Sequence, residues 1–346
     1  MKKVLLAVCA ILVGLQGFAE QRTKVFKKSF PASGLQELTV WNRYGNIDIR
    51  QEGETFEVEA TVFVEAKTQV KVDELLEYIH VSAEEQNSTL NVRTILEKDL
   101  SVQQLLSGVS FGIDYQIKIP TGKKLRIVAQ EGNVTLGDFV GDVNVEIVSG
   151  NFKANSVKGK DFTAKLSKGE FEVEHVGAFN GVFKSAKVKI GDGTRMQLDC
   201  NSSTLQLMEA DQLTIKSSGG SAYLGMIEHL MLNTFYTKYE IQDIGSSLRV
   251  DARYGEVNVR NIHFSFSSVE LKGSSTKVGL TFMEGCGYNL ELKQSKRMKV
   301  DLPESFALTE KPTSEKGVIV RTGFIGDKKY SGKVVLNLSG GNLFIQ

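Results

Sequence analysis

Between residues 122 and 286 the sequence repeats itself every 17 to 21 residues, and this period limits the fold more than any other feature. Gly132, Gly150, Gly169, Ala186, Ser203, Gly220, Thr237, Gly255 and Thr276 define position zero of nine repeats. Apolar residues then recur at −7, −5, −3, +2, +4 and +7. Of these 54 positions 49 are apolar, where the chain-wide 41% would give about 22.

The spacing −7, −5, −3 has the period of two of a pleated strand, as in Leu125, Ile127 and Ala129. The register jumps across the small residue at zero, which suits a tight bend. A second strand follows at +2 and +4, as in Val134 and Leu136. Two short strands in about 18 residues cannot bury a face alone, but they can when stacked on copies of themselves. The expected fold is therefore all-β: a right-handed parallel β-solenoid (β-helix), right-handed because a coil joining parallel strands favours that winding. Nine coils at roughly 4.8 Å give a rod about 43 Å long. A sandwich of hairpins would favour Asn-Gly or Asp-Gly turns, which the bends mostly lack. Outward position −4 sets Glu146 beside Lys165, Asp199 beside Lys216 and Asp251 beside Lys272, opposite charges that suit a solvated face.

Residues 1–19 read as a secretory signal, with Lys2 and Lys3, an apolar run from Val4 to Leu15, and Gly17-Phe18-Ala19 as a small-x-small cleavage site. The run is too short to span a bilayer, and no second one follows, so no transmembrane segment is expected in the mature chain. Export points to the periplasm or the outer cell surface. Without the signal, 40 basic and 41 acidic side chains remain, which gives a polyanion such as nucleic acid nothing to attract it. The two remaining cysteines, Cys200 and Cys286, are expected to be free thiols. In a solenoid they lie about four coils, roughly 19 Å, apart, and a disulfide needs Cα atoms within about 7 Å.

Residues 20–121 are expected to hold a first coil around Gly45 (Leu38, Val40, Ile47, Ile49) and a β-rich cap. The cap contains one short helix, Val72–Tyr78, opened by Asp73-Glu74. Residues 122–286 form the regular stack. Residues 287–346 form irregular final coils and a C-terminal cap, ending on a coil from Val334 to Ile345, with Pro303–Lys316 as a loop. Exposed strand edges at both ends of a stack need such caps.

Four segments resemble a bacterial family of exported β-strand-repeat proteins, labelled candidate adhesins and otherwise a domain of unknown function. They are Val40-Trp41-Asn42-Arg43-Tyr44-Gly45-Asn46-Ile47, Ala252-Arg253-Tyr254-Gly255-Glu256-Val257, Tyr236-Thr237-Lys238-Tyr239-Glu240-Ile241, and Ile117-Lys118-Ile119-Pro120. The resemblance covers nearly all of the chain after the signal. It implies a cell-envelope location and a binding or structural role, and it carries no active residues. Several coils replace the family's Tyr-Gly corner with Ser-Gly, Ser-Ala or Ser-Ser.

Little in the sequence carries chemistry. His80, His175, His229 and His263 lack a metal-ligand spacing, and neither a nucleophile elbow nor a phosphate-cradling loop appears. No catalytic residue, metal site or cofactor is expected. A polysaccharide lyase or hydrolase on a β-helix would need paired carboxylates on one outer face. The +3 ladder (Thr135, Lys153, Glu172, Lys189, Gln206, Tyr223, Glu240, Asn258, Gly279) never sets two acids on neighbouring coils. A cytoskeleton-like filament conflicts with the signal. The reading is a non-enzymatic envelope or surface protein, adhesin-like or structural, with a periplasmic scaffold or sensor component as the alternative. Its partner would be an envelope protein or glycan. The candidate contact surface is Phe235, Tyr236, Arg253, Tyr254, Phe264 and Phe266, because exposed Tyr and Arg anchor interfaces. A Tyr236-on-Tyr254 stack that merely braces a corner is the competing reading.

Overall fold

The structure, a computed structural model, describes residues 20–97 and 108–346. The expected signal segment lies outside the described residues. The described residues are mostly β, with one helix, and their strands form a single mixed sheet of 20 strands.

The sheet is parallel along its middle. β8 (Lys124–Gln130) pairs with β10 (Val143–Val148) 18 residues on, Leu125 opposite Val143 and Ile127 opposite Val145. β9 (Val134–Val140) pairs likewise with β11 (Phe152–Lys158). β10 and β11 both pair with β12 (Phe162–Phe235) at a step of 19. β12 is 74 residues of extended backbone, which drawn straight would measure roughly 240 Å. Left-handed residues at Lys168, Ser185, Ser202 and Gly219 fold it back on itself at intervals of 17. Bonds between residues 17 apart, such as Ser217 to Thr234 and Arg195 to Gln212, join the successive runs. Further along, β12 pairs with β13 (Lys238–Arg253). β13 pairs in turn with β14 (Glu256–Ile262) and β15 (Ser268–Phe282), all in parallel. The residues at −7, −5, −3, +2 and +4 point into one continuous core that includes Leu125, Val145, Leu166, Phe171, Leu207 and Val250. A column of stacked phenylalanines, Phe152, Phe171 and Phe179, runs through it at centroid steps of 5.0 and 5.4 Å.

Spatial order departs from chain order at both ends. β2 (Glu37–Arg43) and β3 (Ile47–Gln51), around Gly45, lie against β8 and β9. On their far side lie β6 (Thr89–Leu96) and β7 (Ser110–Ile119), also parallel. The antiparallel strands finish this end: β5 (Ile79–Gln86) on β6, β4 (Thr55–Ala66) on β7, and β1 (Glu20–Pro31) on β4. Asn87 and Ser88, both left-handed, close the β5–β6 hairpin. The helix, α1 (Gln69–Tyr78), starts earlier than its sequence signals indicate. Thr68 is its N-cap, with its hydroxyl accepting from Lys71 N, so Asp73 and Glu74 sit inside the helix.

At the other end, β20 (Gly332–Ile345) slots between β15 and β16 (Gly287–Ser295) with β17 (Lys299–Asp301), parallel to all of them. The last segment of the chain is therefore not the last rung. β19 (Val318–Gly326) then pairs antiparallel with β16, and β18 (Thr309–Lys311) with β19. Part of the expected Pro303–Lys316 loop is thus a short strand. The antiparallel pairs sit at the two ends, and the parallel ladder lies between them.

The outward charges pair differently from expectation. Glu146 lies opposite Lys165, and Asp251 opposite Lys272. Among the described residues, however, no ion pair joins them. Arg249 and Glu270, two residues nearer the start of the same strands, meet at 2.7 Å. Cys200, in β12, and Cys286, in the turn after Phe282, are both buried free thiols.

Candidate functional site

The aromatic corner is built on backbone the sequence does not announce. Position −1, immediately before the small residue, adopts a left-handed conformation in eleven rungs: Tyr44, Glu131, Ser149, Lys168, Ser185, Ser202, Gly219, Tyr236, Tyr254, Ser275 and Gly340. For a residue with a Cβ this costs about 1–2 kcal/mol. The offset is a hydrogen bond along the stack. The −1 N–H donates to the −2 carbonyl of the next rung, as in Glu131 to Val148 (2.9 Å), Tyr236 to Arg253 (3.0 Å) and Tyr254 to Ser274 (3.1 Å). The bend therefore loses no backbone pairing.

The following residue, at zero, packs against the backbone of its counterpart one rung away. A Cβ added to Gly132, Gly150 or Gly169 would overlap the carbonyl oxygen of Gly45, Gly132 or Gly150 respectively. Where zero carries a side chain, that side chain ties the corner down. Thr276 Oγ1 donates to the carbonyls of Ala252 (3.1 Å) and Ser274 (3.0 Å), and Ser203 Oγ to that of Asn201 (2.9 Å).

On this scaffold Tyr236 and Tyr254 project from adjacent corners, 60% and 46% exposed. Their rings stack 5.0 Å apart at 13°. Phe235, 43% exposed, stands edge-on to both, at 4.6 Å from Tyr236 and 5.9 Å from Tyr254. Arg253, also exposed, lies opposite Phe235 on the neighbouring strand. The next corners on either side carry Gly219 and Ser275, so the outer faces of the tyrosine pair are flanked by small residues. Tyr44, in the equivalent Arg-Tyr-Gly corner of β2 and β3, is half-buried. Phe111 packs edge-on to its ring at 5.2 Å, and the Arg43 guanidinium lies 4.6 Å from it.

The other two expected contact residues are elsewhere. Phe266 is 4% exposed and belongs to the core, packed on Phe282 and Tyr288. Phe264 is half-buried against His263 and Tyr330. The loop folds inward because Gly332, on β20, leaves room for the Phe266 ring. Four of the six expected residues therefore cluster at one exposed corner: Phe235, Tyr236, Arg253 and Tyr254.

A second outward cluster is ionic. Lys153 meets Glu172 at 2.8 Å, and Glu170 meets Lys189 at 2.8 Å and Lys187 at 3.1 Å. Hydrogen bonds from Lys189 and Lys187 hold the Glu170 carboxyl below the usual range, and one from Lys153 does the same to Glu172. Glu240 is lowered by its bond from Asn258. A general acid needs the opposite shift. Among the described residues, no three His, Cys, Asp or Glu side chains are placed to hold a metal, and no helix is long and apolar enough to cross a membrane.

No family model matches the chain, and no curated protein matches it. Solved structures do. A candidate cell adhesion protein from Clostridium sporogenes shares 9% identity, covering 94% of this chain and 99% of that one, with a TM-score of 0.23. A candidate adhesin from Parabacteroides merdae shares 13% identity over 75% of this chain and 97% of that one, with a TM-score of 0.36. A candidate lipid-binding protein from Parabacteroides distasonis shares 11% identity over 74% and 93%, with a TM-score of 0.34. At these distances the function has to be read from the chain's own residues.

Proposed function

We propose that this chain is an exported, non-enzymatic binding protein of the cell envelope, built as a right-handed parallel β-solenoid with antiparallel caps. On this reading the stack holds outward side chains at fixed steps of roughly 4.8 Å, so a flat partner docks without an ordering cost. The contact residues are Phe235, Tyr236, Arg253 and Tyr254. One observation carries the proposal: three large aromatic rings stay about half exposed and pack on one another at a corner whose backbone is fixed by the stack. Its partner is an envelope protein or glycan.

Protease shaving of intact cells producing a tagged copy tests the location. Loss of the protein from unbroken cells supports surface adhesion. Protection until the outer envelope is opened supports a periplasmic scaffold or sensor. Retention in the cytoplasm contradicts both.

A further inference from the structure

Several glycines in the stack are forced by a neighbouring backbone, whereas Gly279, like Gly245, meets the end of a side chain. It lies within β15, between Asn258 of β14 and Phe344 of β20 in the +3 column. An added Cβ would touch only the amide end of Asn258, at 2.5 Å. Its Nδ2 donates to Glu240 Oε2 at 3.0 Å, and its Oδ1 faces the slot. A glycine inside a strand often marks a bulge or a close approach, and the β14–β15 register shifts just past Gly279.

A hollow of about 460 Å³ lies over Gly279 on this face. Phe344, 43% exposed, forms one wall and Asn258 the other. The two lie two rungs apart, roughly 10 Å. One ring laid flat against Phe344 fills the vacant rung at the spacing at which the aromatic rings of this protein already stack. Around the slot the next column runs Glu256, Lys277, Asn342, Lys299, and Asp301 follows Phe344. Carboxylates and amides that bond adjacent hydroxyls beside an exposed aromatic face are the groups that recognise a sugar ring. Two acids face two lysines, so the hollow offers a polyanion no net attraction.

We infer that the Gly279 hollow binds a neutral pyranose unit of an oligosaccharide, stacked on Phe344 and hydrogen-bonded by Glu256 and Asn258. This site is separate from the tyrosine corner, although Glu256 follows Tyr254 by only two residues, so either site can fail without the other.

The test is calorimetric titration of the purified protein with cellohexaose, xylohexaose, maltohexaose and mannohexaose, and with polygalacturonate as the charged control. At least one neutral hexaose is expected to bind at up to about 10 mM. Phe344→Ala removes the stacking face, and Gly279→Gln fills the slot. Each is expected to weaken that binding about tenfold or more, while Val70→Ala, on the exposed face of α1 and outside both sites, leaves it unchanged. Phe344 is exposed, so its variant should keep the parent melting temperature and carry the test even if Gly279→Gln melts early. Three results would overturn the inference: no heat from any neutral hexaose, unchanged affinity in a folded Phe344→Ala, or binding confined to polygalacturonate and abolished by about 0.5 M salt.

Discussion

The rings of Tyr236 and Tyr254 lie 5.0 Å apart and nearly parallel, although 18 residues separate them in the chain. That distance is about one inter-strand spacing, so the stack of strands sets the ring geometry. Both residues are held in a left-handed conformation by hydrogen bonds to the next rung. Stacking alone would give such a pair a structural use. Exposure of about half of each ring, beside small neighbours, is what the proposed contact role rests on.

The left-handed corners make a prediction with opposite signs at neighbouring sites. Lys168 is left-handed and exposed, whereas Lys165 lies three residues earlier on extended backbone and is also exposed. Lys168→Gly relieves strain and should be neutral or stabilising by up to about 1 kcal/mol. Lys165→Gly should destabilise by about 0.5–1 kcal/mol. Denaturant melts of the two variants check the contrast, and equal losses would contradict the corner account.

The close approach at position zero gives a second contrast. Gly150→Ala puts a methyl group into the carbonyl oxygen of Gly132, while Gly137→Ala meets nothing within 4 Å. Displacing packed backbone costs about 1–3 kcal/mol, and a glycine replaced by alanine without strain gains about 0.4–1 kcal/mol. Thermal unfolding should therefore shift down for Gly150→Ala and slightly up for Gly137→Ala.

Buried hydroxyls are networked, and that too is measurable. Tyr239 Oη donates to Ser217 Oγ at 2.8 Å, and Ser217 Oγ donates to Thr234 Oγ1 at 2.8 Å, all in the core. Tyr239→Phe should cost about 1 kcal/mol. In a double-mutant cycle, Tyr239→Phe with Ser217→Ala should cost less than the sum of the two. Additive losses would mean that the bond contributes nothing.

Alkaline pH should unfold the protein before its core tyrosines titrate. Desolvation pushes Tyr115 from 10.0 up to about 12, against an opposing hydrogen bond with Thr94, and raises Tyr239 as well. Desolvation, with Asp199 adding to it, pushes the Cys200 thiol from 9.0 to about 12. Each group is held protonated in the fold. Its stabilising contribution is full below its unfolded value and is lost as pH rises through its folded one. Denaturation midpoints should fall between about pH 9 and 12. Phenolate absorbance from the buried tyrosines, and thiol labelling at Cys200, should appear only with unfolding.

The inward columns were legible because alternation has one physical cause, burial on one side of a strand. Leu125, Val145 and Leu207 stand where the pattern puts them. The corner was read one residue late. Small residues at zero are visible, but the left-handed bend is at −1, where serine, lysine, glutamate and tyrosine all occur because the rung-to-rung bond compensates any of them. The polar interruptions at −3 carry no periodic signal. Asn42, Ser217 and Thr234 are there because Tyr115 and Tyr239 bring hydroxyls into the core. Ser217 bonds Tyr239, and Thr94 links Asn42 to Tyr115. The insertion of β20 between β15 and β16 depends on long-range pairing that local spacing cannot encode. The same insertion buries Phe266, a residue that the sequence places on the candidate contact surface.

The most direct test of the contact surface is binding of protein-coated beads to intact envelope-bearing cells, comparing wild type with the Tyr236→Ala/Tyr254→Ala double variant alongside their melting curves. The account predicts at least about a fivefold loss of bead binding, roughly 1 kcal/mol, with the melting temperature within about 2 °C of wild type. Unchanged binding, or a lowered melting temperature with binding retained, would make the tyrosine pair a corner brace and contradict the proposal.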